Sequence, residues 1–221
     1  MSFSTEWEAV YASGRQGSVW PWSDLVSYVM RYARPAKKPY RVLELGPAAG
    51  ANVPFFKELD VEYYGIEGSK TAVQQLQKRF PEFSAHIVVG DFTADIPFGV
   101  AFDLVVDRAS LTHNTTDSIV RSLTLIRKNL RPGGMFIGID WFSTEHSDRA
   151  KGMAGEDANT RTNFTSGQFK GLGNVHFFDQ EHIERLFKQF TITKLEHKKI
   201  FEEIPNVDHV FASWNLVAEK K

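Results

Sequence analysis

Short β-rich runs that alternate with segments of helical period constrain this chain more than any other feature. Five runs are nearly continuous in apolar residues: YRVLEL (40–45), VEYYGIE (61–67), AHIVV (85–89), FDLVVD (102–107) and MFIGIDW (135–141). Such runs are typical of parallel strands that are buried on both faces. The alternation therefore predicts a layered α/β fold with a mostly parallel sheet.

The segments between these runs carry apolar stripes with the spacing of an α-helix. One stripe covers 73–80 and a second covers 119–130. The second is expected to stop at LRPGG (130–134), because proline and glycine end helices. A further helix is predicted over 179–190, with Asp179 as its N-cap.

The last two β-rich runs are predicted to form a hairpin. They are TITKLEHKKIF (191–201) and DHVFASWNLVAEK (208–220), and the connection between them is too short for a parallel crossover. The segment 143–176 before them is polar, rich in glycine and weakly periodic. We expect it to be either a functional lid or a partly disordered loop.

Composition narrows the classes of protein and partner. The chain has 221 residues, 42% hydrophobic, which suits a single domain over 1–221. Its 26 basic and 27 acidic side chains give a net charge of -1, which argues against DNA or another nucleic acid as the partner. No cysteine is present, so thiolate sites are excluded. Without a signal-peptide pattern or a bilayer-length apolar run, we expect a cytoplasmic protein with no membrane partner.

Small residues follow the first strand, where Gly46, Ala48 and Gly50 lie in the sequence GPAAG. Without bulky side chains, the backbone can approach a ligand closely. Ligands of open α/β sheets bind at this edge, beyond the carboxyl ends of the strands. A tight strand-to-helix connection is the alternative explanation for the turn.

Acidic residues at the ends of the following strands favour a ligand site. Glu67 closes the second strand, Asp91 follows the third beside Phe92, and Asp107 closes the fourth. Buried carboxylates need partners, so packing does not explain their repetition along one edge. Glu67 is placed to accept hydrogen bonds from ribose hydroxyls, and Asp91 with Phe92 to hold an adenine.

From Arg41 to Asp140 the chain resembles class I S-adenosylmethionine-dependent methyltransferases. VLELGPAAG resembles the family's E/D-x-G-x-G-x-G motif, with Ala48 in place of the middle glycine. GIEGS resembles its ribose-binding acid, GDF its adenine-side acid, FDLVVDRASLTH its fourth motif, and LRPGGMFIGID the segment leading into the fifth strand. The resemblance implies a Rossmann-like three-layer αβα fold, with a mostly parallel seven-stranded sheet and an antiparallel C-terminal hairpin. It also implies S-adenosyl-L-methionine as cofactor.

A nicotinamide dehydrogenase is the rival interpretation of the glycine turn. The dinucleotide fingerprint requires glycine at position 48, which is alanine here. Glu44 and Gly50 instead match the methyltransferase spacing, so the dehydrogenase is disfavoured.

The resemblance further implies which residues contact the cofactor. An N-terminal cap, residues 1–35, is expected to fold over it, although packing against the sheet is the alternative for the cap's tryptophans. The predicted cofactor-binding residues are Glu44, Gly46, Pro47, Ala48, Gly50, Asn52, Glu67, Gly68, Asp91, Phe92, Asp107 and Arg108, with Tyr11, Arg15 and Trp20 from the cap.

The predicted catalytic residues are His113 and Asp107. His113 lies six residues past the fourth strand and is the preferred general base, with Asp107 and Asp140 as alternatives. A hydrogen bond within its own loop is the structural alternative for His113. The predicted substrate-binding residues are His113, Asp140, Trp141 and His176, and 143–176 is expected to be an acceptor-side lid.

The acceptor is predicted to be a small molecule. The fourth strand is followed by DRASLTH and not by the N/D-P-P-Y/F pattern of enzymes that methylate exocyclic amines of bases. A protein or RNA methyltransferase and a non-catalytic binding module are the alternatives, and a homodimer is left open. Because the seven histidines show no H-x-x-x-H spacing, no metal is predicted.

Overall fold

The computed structural model describes residues 5–13, 18–205 and 207–221 and is built around a seven-stranded sheet. In chain order the strands of this sheet are β1 (Arg41–Leu45), β2 (Glu62–Glu67), β3 (Ile87–Val89), β4 (Phe102–Arg108), β5 (Leu130–Phe142), β9 (Phe190–Phe201) and β10 (Val210–Lys220). Their order across the sheet is β3-β2-β1-β4-β5-β10-β9. The predicted layered fold with seven strands is confirmed.

Strand direction also follows the prediction. The first five strands are parallel, and β10 pairs antiparallel with both β5 and β9. Strand order reverses between β1 and β4, so the carboxyl ends of these two strands form the crevice where α/β sheets bind ligands.

Helices cover both faces of the sheet. Their bounds are α1 (Thr5–Ala12), α2 (Ser23–Tyr32), α3 (Val53–Glu58), α4 (Lys70–Arg79), α5 (Thr116–Asn129) and α6 (Gln180–Leu186). Alternate residues of β1 separate the two cores: Val42 faces the core of α2, α3 and α4, and Leu43 faces the core of α5 and α6. The predicted three layers follow from this alternation.

Two helix ends differ from the predicted ones. The helix expected to stop within 130–134 ends at Asn129, and Leu130 already begins β5. The proline and glycine lie where the pairing of β4 with β5 shifts register, between Phe102 and Leu104. They therefore shape a strand irregularity instead of ending a helix. α6 begins after Asp179, whose side chain accepts from His182 N at 2.7 Å, but it is shorter than predicted.

The segment 143–176 contains short elements of regular structure and a small core of its own. Three short strands, β6 (Met153–Ala154), β7 (Thr160–Thr162) and β8 (Val175–His176), form a second antiparallel sheet. Phe164 and Phe169 are buried in a cluster with Phe142 and Phe177. Aromatic residues spaced irregularly along the chain build this small core, which is why periodicity did not reveal it.

No helix in the described part of the chain has the length and apolar character needed to cross a lipid bilayer.

Candidate functional site

A cavity of about 250 Å³ opens at the carboxyl ends of β1, β2 and β4. Its lining falls into two halves. The turns after β1, β2 and β3 form the first, which we call the donor half. The loop after β4, the end of β5 and part of 143–176 form the second, the acceptor half. Trp7 and Tyr11 of α1 also line the cavity.

Glu44 holds the first turn of the donor half in place. Its carboxylate accepts hydrogen bonds from Asn52 Nδ2 and from the Tyr63 hydroxyl, each at 2.7 Å. Burial raises the pKa of Glu44, and these two hydrogen bonds oppose the rise. Asn52 Oδ1 in turn accepts from Trp22 N at 3.2 Å, which ties the N-terminal segment to the turn. Both Glu44 and Asn52 line the cavity, and their contact with a cofactor stays a prediction.

The two glycines of this turn, Gly46 and Gly50, have different surroundings. Gly46 has φ of +61°, and a Cβ there would lie 2.3 Å from Ser110 Oγ. Gly46, Pro47 and Ala48 all line the cavity. Gly50, with φ of +80°, does not, because its α-carbon faces Leu76, 2.4 Å from where a Cβ would sit. The expected cofactor contact of Gly50 is therefore corrected to packing against α4.

Glu67 lies at the end of β2 and faces the cavity with 3% of its surface exposed. One carboxylate oxygen accepts from Ala48 N and the other from Ser69 N, both at 2.9 Å. Burial raises the pKa of Glu67, and backbone hydrogen bonds oppose that rise. Gly68 is a further backbone hydrogen-bond partner of this carboxylate, which keeps acceptor capacity for one more donor. The carboxylate is thus oriented by the backbone and presented to a ligand.

The remaining predicted residues of the donor half also lie at the cavity wall. Gly68 follows Glu67, and Asp91 and Phe92 follow β3. Asp91 Oδ1 accepts from Thr93 N at 2.9 Å and from Thr93 Oγ1 at 2.7 Å, which fixes the carboxylate beside the ring.

Arg108 lies at the junction of the two halves and lines the cavity. Its Nη2 donates to Asp140 Oδ2 at 2.9 Å, and its guanidinium lies 3.7 Å from the centre of the Trp22 ring. Arg108 Nε is buried and has no partner within the described ranges 5–13, 18–205 and 207–221. The guanidinium is therefore held in place with donor capacity to spare.

Asp140 supports Arg108 and does not line the cavity, which corrects its predicted contact with substrate. Its Oδ1 accepts from Lys198 Nζ at 2.6 Å and from Ser213 Oγ at 3.0 Å. All of these partners lie on the neighbouring strands β4, β9 and β10. Asp140 is thus the centre of a polar network that positions the guanidinium.

Asp107 is fully buried behind the cavity wall. One oxygen accepts from Ser110 N and Leu111 N, at 3.2 and 3.0 Å, and the other accepts from Trp141 Nε1 at 2.8 Å. Burial raises its pKa to about 7, against the effect of these hydrogen bonds. Because Asp107 shapes the loop after β4 from behind, its predicted catalytic and cofactor contacts are corrected to a structural role.

His113 lies in that loop and lines the acceptor half. Its Nδ1 lies 3.0 Å from the carbonyl oxygen of Asn174. A carbonyl only accepts, so Nδ1 carries the proton and Nε2 keeps a lone pair in the neutral ring. Burial lowers the pKa of His113 to about 4, although the hydrogen bond to Asn174 opposes the fall. The ring is therefore neutral near pH 7 and has the lone pair that a proton acceptor needs.

Some of the predicted residues of the N-terminal cap line the cavity and others do not. Tyr11 is buried and lines the wall, and Trp7 and Trp22 line it as well. Trp20 is 78% exposed and lies away from the lining, so its expected contact is corrected. Arg15 lies outside the described residues.

The acceptor half contains residues that sequence reasoning missed. Phe142, Phe169 and Leu172 line the wall, and none belongs to a recognisable motif. Trp141 and His176 were predicted instead, but both are fully buried elsewhere. Trp141 points to the opposite face of β5 from Phe142, and His176 is bonded to Thr160 and His182 at 3.0 and 2.9 Å. Both predicted substrate contacts are therefore corrected.

Behind Phe169, the structure brings together His146, Asp148 and His209, whose potential ligand atoms lie within 4.8 Å of one another. The ammonium group of Lys151 lies 2.6 Å from Asp148 Oδ1 and already balances its charge. Asp148 Oδ2 accepts from Gln168 N at 2.7 Å. The cluster thus anchors the chain next to Phe169, and the prediction of no metal stays a prediction.

Comparison with known proteins agrees with this geometry. Residues 42–134 match the family model described as a methyltransferase domain. No curated protein matches the chain.

Solved structures share the whole architecture at low identity. An S-adenosylmethionine-dependent methyltransferase of Methanosarcina mazei aligns with a TM-score of 0.69 at 14% identity, covering 91% of this chain and 98% of that one. The 1,6-didemethyltoxoflavin-N1-methyltransferase of Burkholderia thailandensis was solved with bound 1,6-didemethyltoxoflavin and S-adenosylhomocysteine. It aligns with a TM-score of 0.68 at 15% identity, covering 98% of this chain and 86% of that one. A putative zinc-dependent alcohol dehydrogenase of Rhodobacter sphaeroides aligns with a TM-score of 0.67 at 15% identity, covering 99% of both chains. At such identities the likeness shows the fold alone.

Proposed function

We propose that this chain, which carries a class I S-adenosylmethionine-dependent methyltransferase domain, transfers the methyl group to a small-molecule acceptor bound in the acceptor half of the cavity. The observation that carries the proposal is a single cavity with two unlike halves. The donor half presents fixed carboxylates and the tight turn after β1, and the acceptor half presents rings and neutral polar side chains, among them the His113 imidazole.

The donor half fits S-adenosylmethionine group by group. The Glu67 carboxylate keeps acceptor capacity for a ribose hydroxyl, and Asp91 with Phe92 would hold the adenine. Arg108, with its unpaired Nε, would donate to the methionine carboxylate. Gly46 lines the cavity with φ of +61°, a backbone conformation that glycine adopts without strain, and its missing Cβ leaves room for Ser110 Oγ.

S-adenosylmethionine supplies a methyl group that its positive sulfur already activates. The protein has to orient the acceptor and exclude water, since alignment provides much of the rate in such reactions. Trp7, which packs against His113, and Phe169 line the acceptor half and would cover a bound acceptor. His113 would accept a hydrogen bond from the acceptor through Nε2 and take up the proton that the acceptor loses.

A small acceptor is favoured over RNA or a protein by the cavity's charge and cover. Arg108 is the only lysine or arginine in the described lining, and Asp140 pairs with it. A nucleic-acid substrate would need further cations for its phosphates. The small-molecule substrate of the Burkholderia thailandensis neighbour is in line with this choice.

The proposal is tested by supplying methyl-tritiated S-adenosylmethionine together with one acceptor pool at a time: cellular metabolites below about 1 kDa, total RNA, or protein. Label should enter the metabolite pool, and it should do so far more slowly with Glu67→Gln. Label that enters only RNA or protein would contradict the small-molecule acceptor. Tight S-adenosylhomocysteine binding without transfer to any pool would favour a non-catalytic module.

A further inference from the structure

We infer that the acceptor is an uncharged aromatic or heteroaromatic molecule, and that the rings of Trp7, His113, Phe142 and Phe169 select it. The inference rests on the proposed function and specifies the substrate class of the same cavity. It is carried by the shape of the acceptor half and by where its charges lie.

The four rings form one continuous wall. Trp7 meets His113 edge to face at 5.0 Å between ring centres, and His113 meets Phe142 at 6.3 Å. Phe142 in turn meets Phe169 edge to face at 4.6 Å. All four line the cavity, yet they come from α1, the loop after β4, the end of β5 and the segment 143–176. Four separate elements therefore place aromatic surface around one space.

Such a wall favours a flat ring over an aliphatic group of similar size. Aromatic rings attract one another through offset and edge-to-face contacts, because each ring has a negative face and a positive edge. The wall offers rings in several orientations: Trp7 and His113 are inclined at 73°, and Phe142 and Phe169 at 67°. A planar acceptor can therefore meet one ring face to face and another at its edge.

The charges of the cavity lie away from this wall. Its carboxylates, Glu44, Glu67 and Asp91, all belong to the donor half and are already bonded to Asn52, the backbone or Thr93. Arg108 is paired with Asp140 and lies against Trp22. Its remaining donor, Nε, is the one assigned above to the methionine carboxylate. Once the methyl donor is bound, an ionised acceptor would therefore lose its hydration without meeting a counter-charge of its own, which disfavours anions and cations alike.

His113 is the titratable polar contact of the acceptor half, whose lining also includes the neutral polar side chains of Ser110, Asn114 and Gln168. With Nδ1–H directed to the Asn174 carbonyl, Nε2 of His113 can only accept a hydrogen bond while the ring is neutral. The acceptor is therefore expected to carry an O–H or N–H on its ring system. An aromatic molecule with a single weakly acidic donor satisfies both the wall and the imidazole.

The test is calorimetric titration of the full protein, first with S-adenosylhomocysteine and then, once saturated, with four matched probes. The probes are 2-naphthol, decahydro-2-naphthol, 2-naphthoate and 2-naphthylmethylammonium, which share one skeleton and differ in aromaticity or charge. 2-Naphthol should bind about tenfold more tightly than each of the others.

Phe169→Leu supplies the matched variant, with Phe201→Leu as its control, because Phe201 is 60% exposed on the C-terminal hairpin. Phe169→Leu should weaken 2-naphthol binding about fivefold or more and Phe201→Leu should leave it unchanged. A retained midpoint of thermal unfolding shows that each variant is folded.

Failure of the inference and failure of the proposed function are distinguishable. If S-adenosylhomocysteine binds but naphthoate, the ammonium or the saturated alcohol binds as well as 2-naphthol, the acceptor class is wrong while the function stands. No binding of 2-naphthol to the saturated protein overturns the inference in the same way. If S-adenosylhomocysteine itself does not bind, the proposed function fails first.

Discussion

Gly46 lies where backbone conformation and local space both require glycine. Its φ of +61° is in the left-handed region, and a Cβ there would lie 2.3 Å from Ser110 Oγ. Gly171 shares the first condition, with φ of +73°, but a Cβ at that position would have nothing within 4 Å. Substitutions at the two positions therefore distinguish the cost of backbone strain, which both incur, from the cost of a steric clash, which only Gly46 incurs.

Gly46→Ala is expected to destabilise the protein more than Gly171→Ala. Both substitutions incur the cost of the left-handed conformation, about 1–2 kcal/mol, but only Gly46→Ala also displaces Ser110. Urea unfolding of both variants measures the difference, and S-adenosylhomocysteine binding should weaken in Gly46→Ala alone. Equal losses of stability would show that the contact with Ser110 has no energetic effect.

His113 is expected to stay neutral at pH values where a free imidazole is protonated. Burial lowers its pKa to about 4, whereas an unperturbed histidine titrates near about 6.5. The NMR shift of its Cε1 proton, assigned by comparison with His113→Gln, should not change between about pH 8 and about pH 6. A titration centred near 6.5 would show that burial does not shift the pKa of His113.

The same pKa shift has a defined sign for stability. Between about pH 6.5 and the folded value of about 4, the unfolded chain binds a proton at this residue and the folded chain does not. The contribution of His113 to stability is therefore complete above about pH 6.5 and is lost as the pH falls towards 4. His113→Gln should remove that part of the pH dependence.

At the scale of elements, α1 is held over the cavity by one carboxylate. Glu8 accepts a hydrogen bond from Ser69 Oγ at 2.5 Å and another from the Thr71 hydroxyl, both at the start of α4. Ser69 is also the N-cap of α4 and bonds to Glu67 through its backbone. Ser69 thus links α1, through Glu8, to the Glu67 carboxylate.

We expect ligand binding to stabilise α1, and Glu8→Gln to reduce the effect. Because Glu67 and Tyr11 both line the cavity, bound S-adenosylhomocysteine should slow amide hydrogen exchange in residues 5–12. Glu8→Gln should make exchange there faster with and without ligand, since a neutral amide bonds the two hydroxyls more weakly. Equal rates of amide hydrogen exchange in residues 5–12 with and without ligand would show that α1 is not part of the site.

Much of the fold follows from sequence because strands and helices have distinct apolar periods. The predicted run 40–45 corresponds to β1 (Arg41–Leu45), and 61–67 to β2 (Glu62–Glu67). The antiparallel pairing of β9 with β10 was predictable because the connection between them is too short for the crossover that parallel strands need. These features depend on local pattern, which a single sequence contains.

Side-chain direction and long-range contacts were harder to predict. Trp141 and Phe142 are neighbours in sequence, but the two-residue period of a strand sends them to opposite faces, and the motif did not tell which faced the cavity. Phe169 reaches the wall only because Asp148 and Phe164 anchor its segment. Nothing local in FTSGQFKGL indicates those contacts.

At the scale of the whole molecule, charge decides between acceptor classes. The net charge is -1, and Arg108 is the only lysine or arginine among the described residues of the lining. Proteins that bind nucleic acid without sequence preference do so with dissociation constants of about 10⁻⁴–10⁻⁶ M, driven by cations on phosphates.

This protein is expected to bind RNA more weakly than that range. Fluorescence anisotropy of a labelled single-stranded RNA should not change up to about 100 μM protein at physiological salt. Binding in the micromolar range that weakens steeply with added salt would favour the RNA methyltransferase alternative. Salt-independent binding would point to contacts with bases and would equally contradict a small-molecule acceptor.

Donor binding at the carboxyl ends of β1 and β2, with Glu67 as its main polar contact, is the central claim. Calorimetric titration of S-adenosylhomocysteine into wild type, Glu67→Gln and Glu62→Gln tests it most directly. Glu62 is the matched control because it begins the same strand and pairs with Arg41 at 2.7 Å, at the other end from the cavity. Wild type and Glu62→Gln should bind alike, and Glu67→Gln should lose ~1.5–3 kcal/mol, tenfold or more in affinity. Absent binding to folded wild type, or equal affinity of the two variants, would contradict the claim.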